Sequence, residues 1–471
     1  MTSVAVVGGG ISGLTAAYRL RAGLGDRAEI TVVESSPWLG GKLRTIDLAG
    51  RAYDVGAEAF LARRPEAMDL VAEIGLGDRL THPTGARATV LAGGHATGLP
   101  AGTVLGVPTS AEAVKGVLSP EAVNLVAAEA ELPPVELGEH DVDLGALLRR
   151  RFGDELVDRL VDPLLGGVYA GGADGLGLRA TMPGLAKAID GGASSLTEAA
   201  ASIMPPSPSG APVFGTLTGG LGTVITRLAE LSRARIRLGV PARALRRTAT
   251  GWRLELGAAA QAHAPEQSVL DVDAVVLAVP APAARRLLAD AVPAAAEAFA
   301  GIELASMAVV AMAFPRGTEL PAASGLLIGS GERAPSGTPL TAKAFTFSAR
   351  KWGHHGEKDG PVLLRGSVGR FGETASLQVD DDELADLVRR DLAETTGLAT
   401  TPIEVAVTRW GGGLPQYSVG HGDRVARIER AVAEAGGLAV TGAALHGVGI
   451  PACIATASAA ARSVTAGMPT E

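Results

Sequence analysis

Short apolar runs alternate with segments of helical spacing at both ends of the chain. Residues 4–7 are all apolar, residues 14–20 carry apolar side chains at helical intervals, and residues 29–34 are rich in β-branched side chains. A short apolar run predicts a buried strand, and a 3.6-residue spacing predicts a helix. The N-terminus is therefore predicted to fold as strand, helix and strand.

The same alternation returns after residue 213. Strands are predicted at residues 235–240, 252–256, 273–280 and 437–442, and helices at residues 223–232 and 451–464. A second group of predicted strands covers residues 307–314, 340–348, 362–368 and 405–409. This pattern predicts an α/β fold in which one domain is built from separate parts of the chain and another is inserted into it.

The stretch between residues 81 and 213 departs from this pattern. Residues 81–134 are rich in Gly and Pro and predict loops. Residues 141–162 have helical spacing around Arg149, Arg150 and Arg151, which we expect on a solvated helix face. Residues 163–171 have little side-chain bulk and predict a turn, either at a pocket wall or at a close helix crossing.

The turn between the first strand and the first helix has the spacing G-x-G-x-x-G, from Gly8 to Gly13. In a dinucleotide-binding turn Gly8 permits the bend, Gly10 lets the backbone approach a pyrophosphate, and Gly13 lets the helix pack on the strand. Glu34 ends the next strand twenty-one positions after Gly13, where a carboxylate can bind a ribose hydroxyl. These features favour a dinucleotide site over an ordinary glycine turn and leave NAD and FAD both open.

Length and composition predict a folded protein of two domains. The chain has 471 residues, 47% of them hydrophobic and 20% charged, and such a length favours more than one core. The formal net charge of −8 argues against nucleic acid as a partner. Cys453 is the single cysteine, in keeping with a reducing, cytoplasmic location. Charged residues interrupt the longest apolar stretch, so no transmembrane helix is predicted. Peripheral contact with a membrane stays open.

Arg63 and Arg64 precede Pro65 and a helix predicted to run for about fourteen residues. Two cations at a helix N-terminus oppose the helix macrodipole. They indicate either a solvated helix start or a site for an anionic ligand.

A second glycine pair and a basic residue, Gly40, Gly41 and Lys42, follow the ribose acid, and residues 54–57 follow soon after. This order resembles the flavoproteins that include amine oxidases, phytoene desaturases and protoporphyrinogen-type oxidases, and it favours FAD. Residues 163–171, 351–352, 363–370, 409–410 and 414–421 resemble the protoporphyrinogen/coproporphyrinogen oxidase family more specifically. With the two terminal regions, the resemblance covers nearly the whole chain.

The resemblance implies a Rossmann-like FAD-binding domain of amine oxidase type, made of residues 1–80, 214–290 and 430–471. Residues 81–213 are expected to form a mainly helical insertion on the substrate side, and residues 291–429 a substrate-binding domain of sheet and helices. FAD is expected to bind without a covalent link. The implied contacts are Gly8, Gly9, Gly10, Ile11, Ser12, Gly13, Glu34, Ser35, Gly41, Lys42, Gly56, Ala57, Glu58, Ala59, Val240, Trp410, Val448, Gly449 and Ile450.

The resemblance further implies the oxidation of coproporphyrinogen III with O2 in heme biosynthesis, with protoporphyrinogen IX as the alternative substrate. Arg63 and Arg64 are the predicted partners of the substrate carboxylates, and Gly167 and Tyr169 are predicted to form the cavity wall. Amine oxidases carry a lysine on the strand near Met307, where this chain has none, which weighs against an amine substrate. No catalytic acid or base and no metal ligand is predicted. Transient contact with a ferrochelatase is an expected partnership, and a flavin-binding scaffold without turnover is the competing hypothesis.

Overall fold

A five-stranded parallel sheet connects the two ends of the chain. The computed structural model describes residues 2–204, 212–257, 268–357 and 359–468. The strands of this sheet, in spatial order, are Arg235–Arg237, Glu29–Val33, Ser3–Val7, Ala274–Leu277 and Leu438–Val440. Each neighbouring pair runs parallel. The predicted α/β fold class is confirmed.

Both faces of this sheet are covered, as a parallel sheet requires. In the first strand Val4 and Val6 face one hydrophobic core, and Ala5 and Val7 face the other. The first core is completed by the helices Ile11–Leu24, Pro65–Glu73, Gly222–Ser232 and Ile450–Ala466. The second is completed by the helices Ala281–Leu288, Pro293–Ala300 and His421–Ala435 and by the antiparallel strands Ala242–Arg247, Trp252–Leu256 and Val269–Val272.

A seven-stranded sheet forms the second half of the molecule. Its strands, in spatial order, are Glu404–Pro415, Leu304–Phe314, Val362–Val368, Ala342–Thr346, Gly325–Ile328, Thr89–Ala92 and His95–Gly98. All pairs are antiparallel except Gly325–Ile328 with Thr89–Ala92. The helix Asp381–Thr396 packs on one face through Leu384, Val388 and Leu392.

A helical layer lies between residues 111 and 204. Its longer helices are Pro120–Ala128, Leu144–Phe152, Asp162–Tyr169, Pro183–Asp190 and Leu196–Ile203. Three of them begin at side-chain caps, in which Ser119, Asp143 and Ser195 accept N–H groups of the first turn. Their apolar faces form a core of their own.

The remaining elements are short. The strands are Thr45–Leu48, Arg51–Asp54, Phe60–Leu61, Leu80–Thr81, Thr103–Val104, Val107–Pro108 and Phe214–Leu217, and the helical turns are Gly25–Arg27, Gly77–Arg79, Ala111–Val114, Glu129–Glu131, Asp154–Leu156, Val157–Val161, Leu178–Thr181, Ser348–Lys351, Gly353–His355 and Ala375–Leu377. Within the described residues no helix is both long enough and apolar enough to cross a membrane.

Three local predictions are wrong. The helix after Arg64 spans Pro65–Glu73 only, because the chain turns at Gly75 with φ +76°. Residues 162–169 form a helix and not a turn. Residues 89–98, expected as loop, contribute two strands to the seven-stranded sheet, since apolar Val90 and Leu91 are buried there.

The arginine run was also expected wholly on a solvated face, and only Arg150 is exposed. The Arg151 guanidinium lies 2.7 Å from the fully buried carboxylate of Glu129, and Arg149 contacts three aspartates. Glu129 sits in a turn far from the arginines in sequence, so the helical pattern alone gave no sign of this partner. The division of the chain into the three predicted domain ranges stays a prediction.

Candidate active site

The first glycine turn leaves one side of its backbone open. Gly8 has φ +111° and lies so close to Ala278 that a Cβ would overlap the carbonyl oxygen of Ala278, and a Cβ on Gly13 would overlap that of Gly8. A Cβ on Gly10 would meet nothing nearer than 3.9 Å. The helix Ile11–Leu24 begins there without a side-chain cap. Its first N–H groups and its dipole therefore fit a pyrophosphate.

The carboxylate of Glu34 lies directly beside this turn. Its oxygens accept the N–H of Gly9 and the N–H of Ser36, both at 2.7 Å, and the hydroxyl of Ser35 at 3.2 Å. The N–H of Val240 donates to the backbone oxygen of Glu34 at 2.9 Å. Three of the predicted contacts, Glu34, Ser35 and Val240, are thus neighbours at the edge of the turn, where a ribose would follow the pyrophosphate.

The second glycine pair is hydrogen-bonded to the first turn, because the N–H of Gly40 donates to the carbonyl of Gly9 at 2.8 Å. Lys42 follows and is half-buried, and desolvation lowers the pKa of its ammonium group. The nearby thiol of Cys453 is buried, which raises its pKa, although Ser12 and the charge of Lys42 oppose that rise. The first helix, the second glycine pair and the last helix therefore meet at one place.

Residues 54–59 run past Lys42. The N–H of Ala57 donates to the carbonyl of Lys42 at 2.9 Å. A Cβ on Gly56 would overlap the same carbonyl and lie 3.1 Å from the ring of Trp410. The indole N–H of Trp410 donates to the carbonyl of Val55 at 3.0 Å. Trp410, predicted as a cofactor contact from the distant strand Glu404–Pro415, is thus packed directly against this segment.

The side chain of Glu58, another predicted contact, is occupied by two cations. One carboxylate oxygen lies 2.6 Å from the ammonium of Lys351, and the other lies 3.4 Å from the guanidinium of Arg365. Burial alone would raise the pKa of Glu58, but the charges of Arg365 and Lys351 outweigh it and hold this pKa at about 2. Glu58 is therefore ionised, and its backbone, together with that of Ala59, is the part left to contact a cofactor.

Residues 448–450 precede the last helix. Gly449 is the N-terminal cap of the helix Ile450–Ala466 and has no side-chain hydrogen bond to offer. The loop that leads to it is held by Tyr417, which donates its hydroxyl to the carbonyl of Ala443 at 2.6 Å, and by His421, which lies 2.8 Å from the carbonyl of Leu445. Tyr417 stacks on His421, with ring centroids 3.9 Å apart.

The four predicted substrate residues lie on two elements: Gly167 and Tyr169 on the helix Asp162–Tyr169, and Arg63 and Arg64 on the loop before the helix Pro65–Glu73. Tyr169 is buried, and its ring centroid lies 5.5 Å from that of Tyr417, so it connects the helical layer to the loop before Gly449. Gly167, on the same helix, is exposed, and a Cβ there would meet no atom within 4 Å. Burial raises the pKa of Tyr169 to about 12, so its hydroxyl stays protonated.

Arg63 and Arg64 are exposed, on the loop between the strand Phe60–Leu61 and the helix that follows. Arg64 makes a hydrogen-bonded ion pair with Glu66 at 2.8 Å. The role of both arginines toward a substrate stays a prediction.

The sequence reasoning assigned no role to Lys351, Arg365, Tyr417 or His421. A signal for Arg365 existed, because it is the one charged residue in the apolar strand Val362–Val368. An isolated charge in a buried strand needs a partner. The identity of that partner, Glu58, depends on how the two halves of the molecule pack.

The parallel sheet, the open glycine turn and the carboxylate of Glu34 beside it together have the geometry of a nucleotide-binding α/β protein. The protein-family model for flavin-containing amine oxidoreductases matches residues 11–465 of the sequence. A coproporphyrinogen III oxidase of Mycobacterium tuberculosis is 43% identical over 98% of this chain and 97% of its own length. A coproporphyrinogen III oxidase of Bacillus subtilis is 31% identical over 97% of this chain and 96% of its own length.

Among solved structures, an Exiguobacterium protein provisionally described as a protoporphyrinogen oxidase superposes with a TM-score of 0.85 and 32% identity, over 99% of both chains. The chain belongs to the flavin-containing amine oxidoreductase family, and it is a flavin-dependent oxidoreductase. The resemblance to the protoporphyrinogen/coproporphyrinogen oxidases is confirmed.

Proposed function

We propose that this protein oxidises coproporphyrinogen III to coproporphyrin III, with FAD as its flavin and O2 as the electron acceptor. The observation that carries the proposal is the match at 43% identity along nearly the whole length of a coproporphyrinogen III oxidase. The open glycine turn and the placement of Glu34 support FAD, since they fit a pyrophosphate followed by a ribose.

The reaction balances as three two-electron oxidations. In total, the porphyrinogen loses three hydrides from meso carbons and three protons, two of them from pyrrole N–H groups and one from the fourth meso carbon, and three O2 become three H2O2. When bound, the flavin supplies the hydride acceptor and the reaction with O2. Aromatisation of the macrocycle favours the reaction, so the protein needs chiefly to bind, orient and enclose its ligands.

Several residues of the chain suit these tasks. The first helix and Glu34 would hold the dinucleotide, and Lys42 and the backbone of residues 56–59 would hold the part of the cofactor nearer the seven-stranded sheet. Tyr169 and Gly167 are proposed for the cavity wall, and Arg63 and Arg64 for the substrate carboxylates. A lysine is absent from the strand Leu304–Phe314, which disfavours amine oxidation.

The test is the initial rate of porphyrin fluorescence from the purified, FAD-loaded protein under air. Coproporphyrinogen III and protoporphyrinogen IX are compared at equal concentration, and H2O2 is measured in parallel. A higher rate with coproporphyrinogen III and three H2O2 per porphyrin are expected.

A higher rate with protoporphyrinogen IX would favour the second candidate substrate, which the description of the Exiguobacterium structure supports. Bound flavin without turnover of either substrate would leave the scaffold hypothesis. A cytoplasmic location and contact with a ferrochelatase are further parts of the proposal; the first rests on the single cysteine and the second on the resemblance alone.

A further inference from the structure

Two side chains of the seven-stranded sheet, those of Arg365 and Trp410, donate to the carbonyl groups of residues 54–56, beside the predicted cofactor site. Arg365 donates from Nη1 to the carbonyl of Gly56 at 2.8 Å and to that of Asp54 at 3.2 Å. Trp410 donates to the carbonyl between them, that of Val55. Hydrogen bonds from a charged donor are stronger than neutral ones, so Arg365 contributes most to holding this backbone.

Arg365 is itself fixed in place. Its side chain is 12% exposed, and so is that of its counter-ion Glu58. Glu58 is in turn held by Lys351 at 2.6 Å. Among the described residues, the Nε of Arg365 is buried and has no hydrogen-bond partner. The guanidinium is therefore oriented by its contacts with the two carbonyls and with Glu58.

The held segment is closely packed on the side to which a Cβ of Gly56 would point. That Cβ would overlap the carbonyl of Lys42 and lie 3.1 Å from the ring of Trp410. A small shift of this backbone would bring it against Lys42 or Trp410, so the hydrogen bonds from Arg365 matter for its placement.

We propose that Arg365 is a positioning residue, which sets the conformation of residues 54–59 for flavin binding, with Glu58 as its counter-ion. Arg365 belongs to the strand Val362–Val368 of the seven-stranded sheet, whereas the held segment leaves the hairpin strand Arg51–Asp54. The guanidinium thus connects the sheet of the proposed substrate domain to the backbone of the cofactor site. The inference depends on the flavin and not on which porphyrinogen is oxidised.

The chain offers a matched control in Arg409. Its guanidinium also donates to two backbone carbonyls, those of Leu377 at 2.9 Å and Val379 at 2.7 Å, and to one carboxylate, that of Asp381 at 2.7 Å. It lies on a strand of the same sheet, but its partners belong to the segment around the start of the helix Asp381–Thr396. Arg365→Met and Arg409→Met therefore each remove two hydrogen bonds to backbone carbonyls and one ion pair, at side chains that are 12% and 33% exposed.

The experiment measures FAD binding directly, by titrating flavin-free protein with FAD and following flavin fluorescence, together with the visible circular dichroism of the bound flavin. Arg365→Met is expected to raise the Kd for FAD at least about tenfold, the effect of losing one charge-assisted hydrogen bond, and to change the dichroism. Arg409→Met is expected to leave both near the wild-type values. Arg365→Lys keeps the charge without the forked donor, so we expect a Kd between those of wild type and Arg365→Met.

The unfolding temperature of the flavin-free protein separates positioning from stability. In Arg365→Met the carboxylate of Glu58 keeps the ammonium of Lys351 at 2.6 Å, so no unpaired buried charge is left. The raised Kd and the changed dichroism should therefore be seen well below the unfolding temperature of the flavin-free variant, because the carbonyls of Asp54 and Gly56 lack their donor in the folded protein. An unchanged Kd in both Arg365→Met and Arg365→Lys, or a raised Kd only where the flavin-free variant is unfolded, would overturn the proposal. Because no porphyrinogen is used, failure of the proposed function would not affect this result.

Discussion

The buried pair of Glu129 and Arg151 allows a quantitative prediction for the helical layer. The Glu129 side chain is 0% exposed and that of Arg151 is 7% exposed. Arg151 also donates to the carbonyl of Pro133 at 2.6 Å. Breaking a buried pair by removing one partner costs about 3 to 5 kcal/mol. Glu129 keeps the N–H of Leu196 and two donors of Thr197, so we expect Arg151→Met to cost about 3 kcal/mol, the lower end of that range.

The assay is native-state hydrogen exchange, read by mass spectrometry on peptides from the helices Pro120–Ala128 and Leu144–Phe152. A loss of about 3 kcal/mol corresponds to exchange roughly 100-fold faster. Arg150→Met is the matched control, because the neighbouring Arg150 is exposed, and such a surface change is expected to stay within about 0.5 kcal/mol.

The pH dependence provides a second check. Burial would raise the pKa of Glu129, but hydrogen bonds from Leu196, Thr197 and Arg151 outweigh it and lower this pKa. A lowered pKa gives stability that is present above the unfolded pKa and is lost as pH falls through the folded one. Arg151→Met removes one of the groups that lower the pKa of Glu129. The difference in free energy of unfolding between wild type and variant should therefore narrow as the pH falls from about 7 to about 4. Equal exchange in Arg151→Met and Arg150→Met at neutral pH would refute the reasoning.

Three further predictions concern the candidate site. Gly56→Ala should lower the flavin-to-protein absorbance ratio, because its Cβ would overlap the carbonyl of Lys42, whereas Gly116→Ala, in open space, should not; equal ratios would contradict this. Tyr417→Phe should cost about 1 kcal/mol, seen as a lower urea midpoint for flavin release, because the carbonyl of Ala443 loses its donor; an unchanged midpoint would show that water replaces it. Burial lowers the pKa of His421 from 6.5 to about 4. As the pH is lowered from 6.5 to 4, the unfolded state therefore binds a proton before the folded state does, and the free energy of unfolding should fall. His421→Gln should weaken this pH dependence in thermal unfolding scans, and the same pH dependence in both proteins would contradict the assignment.

The sequence by itself determined the elements whose causes are local. The first glycine turn could be predicted because each glycine answers a short-range constraint, such as the overlap that a Cβ on Gly13 would make with Gly8. Glu34 could be predicted for the same reason, since its distance along the chain follows from one strand, one helix and one strand. The apolar runs likewise predicted the parallel strands, because strands covered on both faces are continuously apolar.

Only the tertiary structure decided which distant residues meet. Arg365 and Glu58 are more than three hundred positions apart in the chain, and so are Trp410 and Val55, yet both pairs are in direct contact. The run at residues 149–151 shows the same limit, since three identical side chains have different surroundings that no periodic pattern distinguishes. A charge is buried only where the fold brings it a partner, and that partner is chosen by the packing of the two sheets and the helical layer.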